Sequence, residues 1–375
     1  MLERKSRRWS WGGATVLHIR AMTTSCTQIV GFQSAHHRLA LHDGRMLQLA
    51  DRAVLSSPLP LITVDEARML GVAVHQSRYI RIRRGIHAER AAYLALQPWE
   101  RYAVRVHAFA RRHPEAVLSL ESAAVIHGLP LFGETRDIHV YAPGRKTSQR
   151  FGDVCVHTSL DERELTRVGG IRVTSLLDTV VDLARFVTPA RGLAVVDSAI
   201  SPAQGGTVRV AELRVRAAGQ RNARGRARQH WLWDHTDGRS ESPGESISRA
   251  VISWCGFEAP ELQRRFHYEG HDDRVDFYFP SNGAIGESDG WGKYRLDDSD
   301  AAAELLTEEK RREDRLRRHR HPFARWDLAG AWGVAPLRAA LTAAGVPRRH
   351  PEQPALLATL KKRDRERVVQ PSSPR

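Results

Sequence analysis

Two short segments joined by an Asn-Gly turn constrain the fold of this chain more than any other feature. Residues 274–280 (RVDFYFP) and 284–290 (AIGESDG) have the alternation and aromatic content of strands, and Asn282-Gly283 lies between them. Successive side chains of a strand point to opposite faces, and Asn-Gly is a preferred hairpin turn. The pattern therefore predicts an antiparallel β-hairpin in the C-terminal part of the chain.

The predicted hairpin brings two carboxylates side by side. On the first strand Val275, Phe277 and Phe279 share one face and Asp276 points to the other, and pairing through the turn sets Asp276 beside Glu287. Carboxylates held together repel one another unless a divalent cation such as Mg²⁺ neutralises them. Such a cation can bind a scissile phosphate and lower the pKa of an attacking water, as phosphodiester hydrolysis requires. Solvated acids on a surface hairpin are the alternative interpretation.

Elements on both sides of the hairpin extend the pattern. Residues 242–245 (SPGE) carry the cap, the early proline and the early acid of a helix start, and apolar residues at helical spacing follow them. A charged helical segment, 309–316, and a short strand, 324–326, come after the hairpin. The sequence thus predicts a succession of helix, hairpin, helix and strand.

This succession resembles the PD-(D/E)XK nuclease superfamily, in the form seen in relatives of very-short-patch-repair endonucleases. The resemblance covers residues 240–334 and implies a Mg²⁺-dependent (or Mn²⁺-dependent) endonuclease with a restriction-endonuclease-like α/β/α core. It implies that Asp276 and Glu287 hold the metal ion, with Glu245 and Asp289 in support.

One position departs from the superfamily pattern. The superfamily has a lysine two residues after the glutamate, and this chain has Asp289 there. Lys293 and Lys310 are the candidates to stabilise the developing charge of the phosphate instead. Without either of them at the site, the fold would bind DNA or metal without cutting.

The segment 56–92 predicts a small winged helix-turn-helix. Thr63 and Glu66 form a capping-box pattern before a helix that ends at Gly71, and a second, basic helix is expected over 74–82. A helix of this kind enters the major groove of DNA, where arginines contact phosphates or guanine edges. A helical hairpin with a solvated basic face is the alternative. The candidate DNA-binding residues are Arg78, Arg81, Arg83 and Arg84.

A second resemblance covers the N-terminal two hundred residues. Residues 61–88, with SLESAA at 119–124, HGLP at 127–130 and GGIRVTS at 169–175, look like the AbiEi-type antitoxins of type IV toxin–antitoxin systems. This resemblance implies a winged helix that represses its own promoter. It also implies an α/β domain over 93–218 that counters a cognate toxin.

Composition limits the possible environments and partners. The chain has 58 Lys+Arg against 43 Asp+Glu and a net charge of +15, which attracts nucleic acid, although an Arg-rich composition alone also produces such a charge. Three widely spaced cysteines exclude a disulfide framework and a cysteine-based zinc site, and they suit the cytoplasm. No apolar run approaches the roughly 20 residues of a membrane helix.

The sequence therefore predicts a multidomain chain of mixed α/β (α+β) class. Three further segments complete it: a poorly ordered basic extension at 1–55, with Met22 or Met46 as alternative starts, an Arg-rich linker helix at 219–239, and a helix with a disordered basic tail at 335–375. The first functional hypothesis is a DNA-binding, metal-dependent endonuclease. The second is a non-enzymatic winged-helix repressor or antitoxin with a degenerate nuclease fold, and RNA is an alternative substrate to DNA.

Overall fold

The computed structural model describes residues 48–133, 135–289 and 299–361, with the side chains of 299–306 left aside. These residues form a mixed α+β fold, as the sequence predicts, and their strands make three sheets. They all belong to one compact unit, His37–Arg375.

The N-terminal elements form a small sheet beside a capped helix. They are α1 (Leu49–Arg52), β1 (Ile62–Thr63), α2 (Val64–Met69), β2 (Tyr79–Arg83), β3 (Ile86–Glu89) and α3 (Arg90–Ala95). The strand order is β1-β3-β2, and both pairings are antiparallel. The capping box of α2 is confirmed, because Thr63 Oγ1 accepts from Glu66 N–H at 3.2 Å and the Glu66 carboxylate accepts from Thr63 N–H at 2.9 Å.

Residues 74–82 do not form the second helix that the sequence predicts. They form a turn and then most of β2, in which Ile80 and Ile82 alternate with Arg81 and Arg83. β-Branched residues at every second position favour a strand, and pairing with β3 satisfies the backbone of this segment. The arginines of this region therefore lie on a turn and a hairpin, and the predicted basic helix was wrong.

The middle elements combine a mixed six-stranded sheet with packed helices. They are α4 (Pro98–Arg112), β4 (Val117–Leu118), α5 (Leu120–His127), β5 (Ile138–Tyr141), β6 (Gln149–Phe151), β7 (Val154–His157), β8 (Leu165–Val168), β9 (Ile171–Thr174), α6 (Leu176–Phe186), α7 (Pro189–Ile200), a 3-10 turn (Pro202–Gln204), α8 (Val210–Ala218) and α9 (Arg226–His235). The strand order is β6-β7-β5-β4-β9-β8.

Two buried ion pairs attach α6 to its surroundings. Asp178 accepts from Arg216 at 2.6 and 2.8 Å, and Asp182 accepts from Arg163 at 2.8 and 2.9 Å. Both carboxylates are buried, and each receives two nitrogens of one guanidinium. These bidentate pairs match charge with charge inside the fold.

The C-terminal elements run as a helix, three antiparallel strands, a helix and a strand. They are α10 (Pro243–Trp254), β10 (Glu261–Tyr268), β11 (His271–Phe279), β12 (Ala284–Asp289), α11 (Ser299–Arg318), β13 (Phe323–Asp327), α12 (Leu328–Gly333), α13 (Ala335–Ala343), α14 (Pro354–Leu357) and a 3-10 turn (Ala358–Lys361). The strand order is β10-β11-β12-β13, and β13 is parallel to β12. The predicted hairpin is confirmed as β11 and β12, whereas β10 was not predicted.

A tryptophan fixes α10 against this sheet. Trp326 of β13 donates its indole N–H to Ser248 Oγ of α10 at 2.8 Å. Its ring also lies over the middle of β12, where a Cβ on Gly286 would come within 2.7 Å of the ring carbon Cη2. The glycine inside the strand is thus explained by close approach, and the contact sets the start of α10 near the end of β12.

One large apolar core joins the middle helices to the C-terminal elements. α10 packs against α7, and Arg249 donates to the buried Asp197 across that junction at 2.6 Å. The core includes side chains of both regions, among them Leu193, Val196, Ile247, Val251, Phe277 and Trp326.

Two segments that the sequence leaves outside the core belong to it. Within the predicted linker 219–239, Leu232 and Trp233 of α9 are buried, so this helix is not a solvated linker. Within the predicted tail, Leu357 and Leu360 are buried, and a β-bridge joins Arg348 to Phe257. Both segments are rich in charged residues, but their apolar side chains pack in the core.

The N-terminal extension is corrected in its last part only. Leu49 of α1 is buried, and Gly128 lies so close to α1 that a Cβ there would collide with the Leu49 carbonyl. Residues 48–55 are therefore packed, while residues 1–47 lie outside the described part of the chain.

Candidate functional site

Glu245 sits in the first turn of α10, where the sequence expects a supporting acid. Ser242 caps the helix, and its Oγ accepts from the Glu245 N–H at 3.1 Å. The Glu245 side chain turns inward, and the residue is only 3% exposed. Its Oε2 accepts from the Glu241 N–H and from the Gln263 side-chain amide, both at 2.9 Å. Neutral donors therefore hold this buried carboxyl group in place.

The electrostatics of Glu245 show that a second acid lies nearby. Burial raises the pKa of the Glu245 carboxyl well above its ordinary value, and the negative charge of Asp276 raises it further. Hydrogen bonds from the Glu241 amide and from Ser242 oppose this shift without cancelling it. Glu245 and Asp276 thus share one electrostatic environment, although they lie on different elements.

Asp276 and Glu287 come from the paired strands β11 and β12. The register pairs Phe277 with Gly286, and continuing it by one residue sets Asp276 opposite Glu287. Asp276 Oδ2 accepts from the Ser288 N–H at 2.9 Å, which ties it to the residue beside Glu287. The structure therefore brings these two predicted acids together.

Among the described residues, Glu287 contacts an arginine that the sequence does not single out. Arg312 of α11 lies 3.1 Å from Glu287 Oε1 through Nη2, and its Nη1 donates to the Arg274 carbonyl at 2.7 Å. Lys310, two residues earlier on the same helix, is exposed. Lys293, the other predicted lysine, lies outside the described residues.

Asp289 faces a different group of charges. Arg325 of β13 donates to it at 2.7 Å, and the same guanidinium also contacts Glu309 and Glu313 of α11. Burial lowers the pKa of Arg325, but its hydrogen bonds with Asp289 and Glu309 and their charges raise the pKa well above its ordinary value. Asp289 is thus matched by an arginine.

Sequence reasoning misses Glu241, Gln263, Arg274 and Arg312. Glu241 accepts from Arg274 at 2.7 Å, and burial raises the pKa of Glu241 although Arg274 opposes that shift. Gln263 lies on β10, which was not predicted, and Arg312 lies in a run of charged residues that offers no reason to choose it. The cap sequence around Ser242 is the signal that could have drawn attention to Glu241.

These acids fit a hard divalent cation in their chemistry, since carboxylate oxygens are what Mg²⁺ and Mn²⁺ prefer. Their arrangement fits it less well. Among the described residues, no group of three or more His, Cys, Asp or Glu side chains is arranged to hold a metal ion. Glu287 and Asp289 contact arginines instead.

The predicted DNA-binding arginines separate into two kinds. Arg78, Arg81 and Arg84 are exposed, on the turn and hairpin that contain β2. Arg83 donates to Asp153 at 2.8 and 3.3 Å, and its guanidinium lies over the Phe109 ring. Arg83 therefore attaches the hairpin to the middle region, while the other three face solvent.

Comparison with known proteins adds two relatives. The proteins named Uncharacterized protein MT2308, of Mycobacterium tuberculosis strain CDC 1551, and Uncharacterized protein Rv2248, of strain H37Rv, are each 35% identical to this chain over 168 residues. The similarity covers 44% of this chain and 59% of each relative, so the chain spans about three fifths of the relatives it matches. No family model and no solved structure matches the chain. In the described part of the fold, no helix is long and apolar enough to cross a membrane.

Proposed function

We propose that this protein binds DNA and hydrolyses phosphodiester bonds at Asp276 and Glu287. The proposal rests on two observations: Asp276 of β11 lies beside Glu287 of β12, and the charge of Asp276 acts on the buried Glu245 of α10. The order of helix, three strands, helix and strand within residues 240–334 supports a restriction-endonuclease-like α/β/α core.

A bound Mg²⁺ or Mn²⁺ ion is part of this proposal. Glu245, Asp276 and Glu287 would hold it, and it would supply an activated water and neutralise the phosphate. The chain itself buries Glu245 and holds its carboxyl group with two neutral donors.

The N-terminal hairpin is the proposed DNA contact. Arg78, Arg81 and Arg84 are exposed there, and the net charge of +15 supports attraction to a phosphate backbone. The sheet has the strand order β1-β3-β2, and α2 lies between β1 and β2 in the chain. This arrangement supports a winged unit over residues 56–92, in which the hairpin of β2 and β3 is the wing. We propose that the protein acts in the cytoplasm.

Plasmid cleavage in Mg²⁺ or Mn²⁺ tests the enzymatic proposal. Asp276→Ala is expected to reduce nicking by at least about 10- to 100-fold, because disturbing a metal site has effects of that size. Asp272→Ala is the matched control on the same strand, since its side chain is 80% exposed. Equal nicking by wild type and Asp276→Ala would contradict the assignment, and cleavage of RNA in place of DNA would correct the substrate.

A second candidate function is a non-enzymatic winged-helix repressor or antitoxin of a type IV toxin–antitoxin system, with a degenerate nuclease fold. The contacts of Glu287 with Arg312 and of Asp289 with Arg325 favour it, because acids already neutralised by arginines need no metal ion. A cognate toxin would then be the protein partner. In a gel shift with the DNA upstream of its own gene, this candidate predicts tight, salt-dependent binding that Asp276→Ala leaves unchanged.

A further inference from the structure

We infer that Arg312 is a resident counter-cation of the carboxylate site, which competes with a divalent cation for Glu287. The inference rests on the proposed function for the identity of that cation, and it concerns regulation of the same site. Metal binding would then require Arg312 to leave Glu287, so the arginine sets how much metal ion is needed to occupy the site.

The position of Arg312 supports this role. Its guanidinium spans both strands that carry the candidate acids, with Nη2 at Glu287 of β12 and Nη1 at the Arg274 carbonyl of β11, two residues before Asp276. The Glu287 side chain is 6% exposed and that of Arg312 is 23% exposed. A cation that approaches Glu287 from solvent therefore meets Arg312 at that carboxylate.

A neighbouring arginine on the same helix forms a buried bidentate ion pair, with which the contact of Arg312 can be compared. Arg315 gives two nitrogens to Asp273, at 2.7 and 2.8 Å, and both side chains are at most 12% exposed. Arg312 instead divides its guanidinium between a carboxylate at 3.1 Å and a backbone carbonyl. Bidentate pairs are the stronger and more specific arrangement, so the contact of Arg312 is the easier one to exchange.

Charge explains why an exchange would be favourable. Burial and the negative charge of Asp276 disfavour the charged forms of Glu241 and Glu245, and Asp276 is hydrogen-bonded to the residue beside Glu287. Arg274 and Arg312 each offer a single positive charge, to Glu241 and Glu287 respectively, whereas a divalent cation offers two at shorter distances. Competition for Glu287 follows from that difference.

Titration of the full chain with Mn²⁺, followed by electron paramagnetic resonance or calorimetry, tests the inference without measuring cleavage. Arg312→Gln is expected to bind Mn²⁺ at least about tenfold more tightly than wild type, because coupling between close charges is of that order. Arg312→Lys keeps the charge and is expected to stay within about threefold of wild type. Arg317→Gln, which removes a surface pair with Glu313 on the same helix, is the matched control and is expected to bind like wild type.

The outcomes separate this inference from the proposed function. Equal or weaker Mn²⁺ binding by Arg312→Gln, in a protein with unchanged circular dichroism, overturns the inference while wild-type binding upholds the metal site. Binding by Arg312→Gln alone supports the inference and shows that the wild-type site is closed by its own arginine. No binding by either protein overturns the inference together with the metal site. The gain in affinity must also vanish when Asp276→Asn is added, and a gain that persists contradicts the inference.

Discussion

Two clusters of buried acids in this protein differ in the donors that hold their carboxyl groups. Around α6, Asp178 and Asp182 each receive both nitrogens of an arginine, so that every buried negative charge is matched. Around the start of α10, Glu245 is held by the Glu241 amide and by Gln263, both neutral, and it feels the charge of Asp276. The first cluster holds each acid with an arginine. In the second, Glu241 and Glu287 contact arginines, but Glu245 is held by neutral donors and feels the charge of Asp276.

The comparison shows that burial alone does not mark a functional acid. Asp178 is more deeply buried than Glu245, yet its bidentate arginine leaves it with no electrostatic need for a ligand. What distinguishes the second cluster is the neutral character of the donors to Glu245 and the repulsion between acids from different elements.

Removing an acid from the matched cluster is expected to have the largest effect. Asp182→Ala leaves the Arg163 guanidinium, 8% exposed, without its partner, and breaking such a pair costs about 3–5 kcal/mol of the free energy of unfolding. Urea denaturation measures this loss. Asp234→Ala, which breaks the exposed pair with Arg214, is the control and is expected to cost less than about 1 kcal/mol. Similar losses in the two variants would remove the contrast between buried and exposed pairs.

Replacing Glu245, which neutral donors hold, is expected to change the pH dependence of stability. The folded-state pKa of Glu245 is raised, so its protonated form stabilises the fold below the ordinary glutamate pKa of about 4.3, and this contribution is lost as the pH rises through the raised value. Relative to Glu245→Gln, the wild type should therefore lose stability as the pH rises from about 4 towards the raised pKa of Glu245.

Chemical denaturation across that pH range measures the difference between the two proteins. Ser253→Ala, at an exposed position of α10 that carries no titratable group, provides a control whose difference from wild type should stay flat with pH. A constant difference between wild type and Glu245→Gln would show that Glu245 is not held in a repulsive environment.

The same distinction between matched and unmatched charges applies to DNA binding, with a smaller effect for each residue. Arg81→Ala removes an exposed charge and is expected to weaken binding to all sequences alike, reducing the slope of log K against log salt by about 1. Arg83→Ala removes a charge that is already paired with Asp153, so the slope should change less. Fluorescence anisotropy at several salt concentrations measures both slopes, and a larger change for Arg83→Ala would reverse the assignment of the two residues.

Much of the candidate site could be predicted from local sequence. The Asn-Gly turn and the aromatic alternation indicate β11 and β12, and the Ser-Pro-Gly-Glu start indicates α10, so the helix and hairpin that carry Glu245, Asp276 and Glu287 were predictable. These features depend on residues close together in the chain, and local pattern suffices for them.

The remaining features depend on contacts between distant residues. Alternation places Val275 and Phe277 on the same face, but Phe277 belongs to the large core whereas Val275 packs in a separate small cluster with Leu316 of α11. On the neighbouring strand β10, Gln263 has a backbone in the left-handed region, at φ 55°. The pairing of Arg312 with Glu287 likewise joins residues from different elements. No local pattern encodes which member of a charged run reaches across to another element.

The N-terminal error has a different cause. The capping-box prediction is confirmed, whereas the arginines between 78 and 84 predict a basic helix and the isoleucines at every second position of the same segment indicate a strand. Pairing with β3 decided the outcome. In this segment the two-residue period of the isoleucines, and not the number of arginines, indicates the secondary structure.

The apolar core shared by α7, α9 and α10 has a consequence for how this architecture can be inherited. A fragment that ended near residue 239 would leave the inner face of α7 uncovered and the buried Asp197 without Arg249, and the complementary fragment would expose Ile247 and Val251 to water. Gene fusion or exchange at that point would therefore produce two unstable products. The middle helices α7 and α9 and the carboxylate cluster at the start of α10 are therefore expected to be inherited together.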